Sequence, residues 1–190
     1  LHTHATARFL AVMRTCNIKG IICATHSGSL TGLILEVLVC LSEEKRQKGK
    51  GLILALFAAS AIGLIVTRRA TFAAETAVCQ VEINVVAAMV AAARVETSGS
   101  MERQTMDAPA ITLHNYMGSI CDTDQGTYEM PSHMLNAIAS SSVFVCAGLI
   151  QGGYDNPTTL DETIDAILAV GKAIPSKLQC TSRGGLAITP

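Results

Sequence analysis

Seven cysteines, at 16, 23, 40, 79, 121, 146 and 180, are the residues of this 190-residue chain best suited to bind a metal or act as nucleophiles. Their spacing narrows the chemistry. No Cys-x-x-Cys pair occurs, so a zinc ribbon or a thioredoxin-like redox motif has no support. An odd number at wide spacing fits reduced thiols better than a disulfide framework. Cys79 opens the run Cys79-Gln80-Val81-Glu82. Cys121 is followed by Asp122, Gly126, Pro131-Ser132-His133 and Asn136-Ala137. Thiols suit soft metals, with Gln80 and Glu82 either groups that could orient a ligand or residues of a solvated helix face. On spacing alone, Cys79 and Cys121 read as buried apolar cysteines, a common state for this residue. His114 and Asn115 add an imidazole, the side-chain type that ordinarily titrates near neutral pH, and a carboxamide. The Ser27–Gly32 loop could receive a carboxylate on its amides. Arg69, Lys172 and Arg183 are cationic anchors for the same group, or ordinary ion-pair partners.

The elements that must position these groups are helical. Ala, Leu, Ile and Val carry the apolar content, which is 49% of the chain with only 4% aromatic residues and no Trp. Such a mixture predicts a compact all-α domain of closely packed small residues. Residues 1–20 read as a helix ending at Gly20. The loop containing Ser29 follows, and then an apolar helix to about Leu41. The run from Ser42 to Gly51 is charged and reads as a solvated turn. Leu52 to Val66 has fifteen residues without a charge. That falls short of the about 20 needed for a membrane span, so it reads as a core helix closing at Arg69. Thr71 to Val95 reads as one Ala-rich helix, apolar all round and therefore central. Pro109 is expected to open the helix carrying His114 and Asn115. Cys121 to Met130 is loop-like, and Pro131 sits in the first turn of a helix that Gly152-Gly153 ends. Thr159 and Glu162 form a capping box before Leu160, Ile164, Ile167 and Leu168 at helical spacing.

Longer stretches resemble the alpha chain of the iron–sulfur-dependent L-serine dehydratases, from about Ala11 to Pro190. Ala61-Ile62-Gly63-Leu64 with Arg69-Ala70-Thr71-Phe72-Ala73 is similar to the family's segment before its first cluster cysteine. Asn115, Gly118, Cys121 and Asp122 resemble the approach to the second. Leu160–Ala166, Val170-Gly171-Lys172, Pro175-Ser176 and Thr181–Ala187 resemble the C-terminal end. The resemblance implies one alpha-chain-like domain over residues 1–190, lacking part of the family's N-terminal end. It implies a [4Fe–4S] cluster held by Cys79, Cys121 and a third position, which is cysteine in the family and Ser132 here. His133 beside it could substitute as an imidazole ligand, and Cys146 and Cys180 are further thiols. The implied reaction is a lyase converting L-serine to pyruvate and ammonia, in amino-acid catabolism and gluconeogenesis. His114 and Asn115 are then catalytic candidates, and Arg69 and Ser29 substrate-binding ones. The alternative is a cluster-free, catalytically silent relative serving as a structural subunit. The family's beta portion would have to come from a second chain, or the chain forms a homo-oligomer.

Several departures from the family pattern fall beside the candidate ligands. Ala74-Glu75-Thr76-Ala77-Val78 stands where the family has Gly-Ala-Glu-Gly-Gly, Arg68 replaces an Asn, and Thr123 replaces a Pro. A net charge of −1, with no basic cluster on an aromatic-bearing element, argues against nucleic acid as a partner. The polar first residues, with His2, His4 and Arg8, carry no signal-peptide pattern. The expected location is therefore cytoplasmic, off the membrane. Starting at Leu1 rather than Met points to a fragment or a processed chain.

Overall fold

The computed structural model describes residues 2–19, 31–45, 49–120, 129–179 and 181–189. Among these residues there are eight α-helices and no strand: α1 His2–Lys19, α2 Thr31–Lys45, α3 Lys50–Arg69, α4 Ala74–Ala77, α5 Gln80–Glu96, α6 Glu102–Asn115, α7 Glu129–Gln151 and α8 Leu160–Ala173. Two 3-10 turns, Ser176–Leu178 and Gly185–Ile188, follow. The expectation of an all-α domain holds.

Helix α5 is the axis of the molecule. Every residue in it except Glu82, Arg94 and Glu96 is buried. Alanines at 87, 88 and 91–93 let α3, α6, α7 and α2 pack against it from different sides. Gly63 of α3 sits opposite Met89, close enough that a Cβ would lie 3.0 Å from its Cε. Helix α8 closes the far side against α6 and α4. Its inward face is Leu160, Thr163, Ile164, Ile167 and Gly171, the periodicity read in the sequence. The capping box forms as expected. Thr159 N donates to Glu162 Oε2 at 2.9 Å, and Glu162 N donates to Thr159 Oγ1 at 3.3 Å.

Three boundaries differ from the sequence reading. Helix α2 runs on to Lys45, so part of the charged Ser42–Gly51 run is helical. The segment read as one helix from Thr71 to Val95 is broken, with α4 ending at Ala77 and α5 beginning at Gln80. Pro109 does not open α6, because the helix starts seven residues earlier at Glu102. Gln104 Oε1 accepts from Met101 N at 3.0 Å and caps that start, and Gln104 Nε2 donates to Ile150 O at 3.1 Å across to α7. Pro109 is buried in the helix, where it leaves the Thr105 carbonyl without its usual i+4 donor.

Helix α3 is apolar on both faces. Ala55, Ala59, Ile62, Gly63 and Val66 turn to the core, while Ile53, Leu54, Leu56, Phe57 and Leu64 are exposed. The core-helix expectation for Leu52–Val66 thus holds for one face only. By length and composition, α3 and the Met134–Gln151 part of α7 are both long and apolar enough to cross a membrane.

Candidate functional site

The break between α4 and α5 places Cys79. Val78 has φ 65 and ψ 170, and Cys79 then returns to helical angles as the residue preceding α5. The Cys79 carbonyl accepts from Glu82 N and Ile83 N, both at 3.0 Å, which starts the helix. Its thiol is half-buried, packs against the hydrophobic core and is in no disulfide. A 17-residue helix begins immediately after it. The N-terminal dipole of such a helix favours negative charge.

Gln80 is not on a solvated face. Its side chain is fully buried, and its carboxamide joins three pieces of backbone. Oε1 accepts from Gly118 N at 2.7 Å. Nε2 donates to Ala77 O at 3.1 Å and to Ile167 O at 3.2 Å. The α8 side of this contact depends on Gly171, where a Cβ would lie 2.6 Å from both Ala77 O and Gln80 Nε2. One turn further along α5, Asn84 is also fully buried, and its Nδ2 donates to Tyr116 O at 2.8 Å. The backbone between Tyr116 and Gly118 is therefore fastened to the start of α5, three residues before Cys121. Glu82, the other polar residue of the motif, is half-buried on the same turn.

A second group forms where α6 meets α7. Asn115 Nδ2 donates to Cys146 Sγ at 3.2 Å, and Thr112 also hydrogen-bonds this thiol. Burial pushes the Cys146 thiol above its ordinary titration range, against the opposing effect of those bonds. Tyr116 is pushed up as well, chiefly by burial, with a hydrogen bond to Ser142 opposing. His114, one residue before Asn115, is exposed in the last turn of α6. The His114 carbonyl accepts from Met117 N at 3.2 Å.

The sequence candidates therefore separate. Cys79, His114 and Asn115 lie on elements joined through the 116–118 segment. Arg69 lies on the α3–α8 seam, where it pairs with Asp161 at 3.1 Å and Asp165 at 2.7 Å. That placement matches the ion-pair alternative read in the sequence. Lys172 and Arg183 are exposed. Ser29, Cys121 and Cys180 lie outside the described residues, as do the side chains of Ser132 and His133. Among the described residues no three His, Cys, Asp or Glu side chains converge as a metal site. The one described donor of the implied cluster, Cys79, is a half-buried thiol at a helix N-terminus, and its chemistry fits iron–sulfur ligation.

Sequence reasoning missed the buried roles of Gln80 and Asn84. Their i, i+4 spacing in an otherwise apolar helix was the available signal, since a polar pair on a buried face needs partners.

The family model described as serine dehydratase alpha chain matches residues 1–187. A probable L-serine dehydratase alpha chain of Bacillus subtilis is 33% identical over 186 residues, covering 98% of this chain and 62% of that relative. A probable L-serine dehydratase alpha chain of Latilactobacillus sakei is 35% identical over 171 residues, covering 90% and 82%. The L-serine dehydratase alpha chain of Peptoniphilus asaccharolyticus is 32% identical over 167 residues, covering 88% and 57%. The chain thus spans a little under two thirds of the Bacillus relative's length.

Proposed function

The chain belongs to the serine dehydratase alpha-chain family, and from that premise we propose that it is the cluster-bearing part of an L-serine ammonia-lyase. The observation that carries this reading is the placement of Cys79 at the α4–α5 break, tied through Gln80 to the segment that leads to Cys121. Cys79 and Cys121 would hold a [4Fe–4S] cluster, with Ser132 or the adjacent His133 at the third position. When bound, such a cluster with one open iron would supply Lewis-acid activation of the serine hydroxyl.

The remaining work falls to the chain's own residues. His114, exposed at the end of α6, is assigned to take the α-proton of serine. Departure of the β-hydroxyl as water then leaves 2-aminoacrylate, which tautomerises to the imine; addition of water and loss of ammonia give pyruvate. Asn115 holds the α6 end against α7 through Cys146, which orients the neighbouring imidazole. The Ser29 loop is assigned to the substrate carboxylate. Arg69 contributes by closing α3 onto α8, since its guanidinium already serves two carboxylates. We assign the chain to the cytoplasm, off the membrane and without nucleic acid. A beta chain or a second copy would act as partner, and the outward apolar face of α3 is a surface suited to such a contact.

Ser132 favours a second reading, a cluster-free relative that keeps the fold. Anaerobic reconstitution with iron and sulfide separates the two. The cluster reading expects absorbance near roughly 400 nm, a typical cluster band, and iron that falls in Cys79→Ala and Cys121→Ala. Pyruvate release from L-serine, with and without a beta chain, is the activity readout. Equal iron in the parent and both variants would sink the assignment of these ligands. A parent without iron that gains it on Ser132→Cys would establish the second reading.

A further inference from the structure

We propose that Gln80 and Asn84 are positioning residues. Their carboxamides, one turn apart on α5, fix the 116–118 backbone against the Cys79 turn and so set the spacing within the site. The inference rests on the proposed function only for its consequence. The geometry stands by itself.

Both side chains are fully buried, on a helix whose other buried residues are all apolar. A buried carboxamide in such surroundings is costly unless bonded, so its bonds state its role. Gln80 uses its acceptor on Gly118 N and its donors on Ala77 O and Ile167 O. Asn84 donates from Nδ2 to Tyr116 O, the same carbonyl that accepts from Ser119 N at 3.0 Å, while its Oδ1 is buried without a partner. Gly118 has φ 86, a conformation suited to glycine, so the segment turns at the residue Gln80 holds. No helix ladder includes residues 116–120. Two side chains from α5 thus do for this segment what a regular element would otherwise do. Three residues extend at most about 10–11 Å, so anchoring Gly118 limits the reach of the chain that continues towards Cys121.

Gln80 also completes the break itself. Ala77 is the last residue of α4, and its carbonyl lacks an i+4 donor in that helix. The Gln80 amide supplies a donor. Gly171 keeps α8 close enough for the same nitrogen to reach Ile167 O. One residue therefore joins the end of α4, the wall of α8 and the 116–118 segment at the position next to Cys79.

The test uses the full chain carrying Ser119→Cys, treated with a short bis-maleimide and mapped by mass spectrometry. The readout is the rate at which Cys79 becomes linked to the introduced thiol. Gln80→Met keeps the bulk and removes all three bonds; Asn84→Ala removes one. Each is expected to lower the linking rate at least about fivefold, the effect of breaking one buried hydrogen bond. Val143→Ala, a core deletion on α7, weakens the fold without removing a hydrogen bond to the segment and is expected to leave the rate unchanged. If Gln80→Met does not fold, Asn84→Ala carries the test alone. Linking at the parental rate in the folded variants, or an equal loss in Val143→Ala, would overturn the proposal. Iron uptake by the same proteins is read separately. A parent that binds no cluster refutes the cluster reading and leaves the linking result standing.

Discussion

Gly171→Ala is the substitution for which the packing at the Cys79 turn and helix propensity predict opposite signs. A Cβ at 171 would lie 2.6 Å from Ala77 O, 2.6 Å from Gln80 Nε2 and 2.7 Å from Ala77 Cβ. Ordinary contact is about 3.5 Å, so α8 must withdraw by roughly 1 Å. Overpacking of this kind costs about 1–3 kcal/mol. The same withdrawal stretches the 3.2 Å bond from Gln80 to Ile167 O past a useful length, which leaves a buried amide short of a partner at about 1–3 kcal/mol. Alanine in place of glycine inside a helix returns about 1 kcal/mol. The expected net loss is about 1–5 kcal/mol, read as a lower urea midpoint with an unchanged slope. Gly148→Ala is the control. Nothing lies within 4 Å of a Cβ there, on the exposed side of α7, and the variant should gain about 0.5–1 kcal/mol. If Gly171→Ala is as stable as the parent, or more so, the close approach of α8 to the turn is wrong, and so is the reach of Gln80 to Ile167 O.

Two further outcomes follow from the same region. At most buried positions Val→Ala is milder than Val→Gly. At Val78 the order should invert, because φ 65 and ψ 170 lie in a region that only glycine enters freely. Both variants lose the buried isopropyl group, but Val78→Gly releases about 1–3 kcal/mol of backbone strain that Val78→Ala retains. Chemical denaturation of the two side by side checks the order, and Val78→Ala proving the more stable would remove the strain. The second outcome concerns pH. The folded-state titrations of Cys146 and Tyr116 are both raised by burial above the ordinary 9.0 and 10.0. Above those values the unfolded chain loses protons first, so their contribution is complete below about pH 8.5 and is lost as pH rises through the folded-state titrations. Stability should fall above about pH 9, and Cys146→Ala should flatten the first part of the decline in urea unfolding at stepped pH. An equal slope in both proteins would exclude Cys146 as a source.

Periodicity and end signals made much of this fold legible in the sequence. The Thr159–Glu162 capping box, Gly152-Gly153 and the uniform Ala/Val content of α5 each express a local preference that the packing reinforces. The α4–α5 break was not legible, because Ala74-Glu75-Thr76-Ala77-Val78 contains good helix formers and no glycine. What interrupts the helix comes from residues 87 and 38 positions away, the Ile167 carbonyl and the Gly118 amide that Gln80 reaches. Pro109 misled for a related reason. Proline suits a helix start, but the actual start at Glu102 is set by Gln104, whose capping reach the residue pattern Met101-Glu102-Arg103-Gln104 does not advertise. Of the candidate site, Cys79 stands out by its motif and the structure places it at the α4–α5 break. The buried function of Gln80 could not, because the chain alone does not say which side of α5 meets residues 116–118.

The position of the proposed chemistry follows from what α5 is made of. A helix buried on all sides by Val and Ala has no face on which a reacting group could meet substrate, so its ends are the only places left. The N-terminal end offers the dipole that favours thiolates and anionic ligands, and Cys79 stands there. The cost is an interrupted backbone, with an orphan carbonyl at Ala77 and a residue at 78 in a conformation suited to glycine. Gln80 satisfies the carbonyl. Val78 shows that tertiary bonds, rather than local preference, keep the turn in shape, since its own conformational preference opposes it. Substitutions between 74 and 78 can therefore accumulate without displacing Cys79, provided that Gln80, Gly118 and Gly171 persist. All three are present. Loss of the local glycines before Cys79 thus says little against a cluster, and the decision between enzyme and silent relative rests on the donor at 132 or 133.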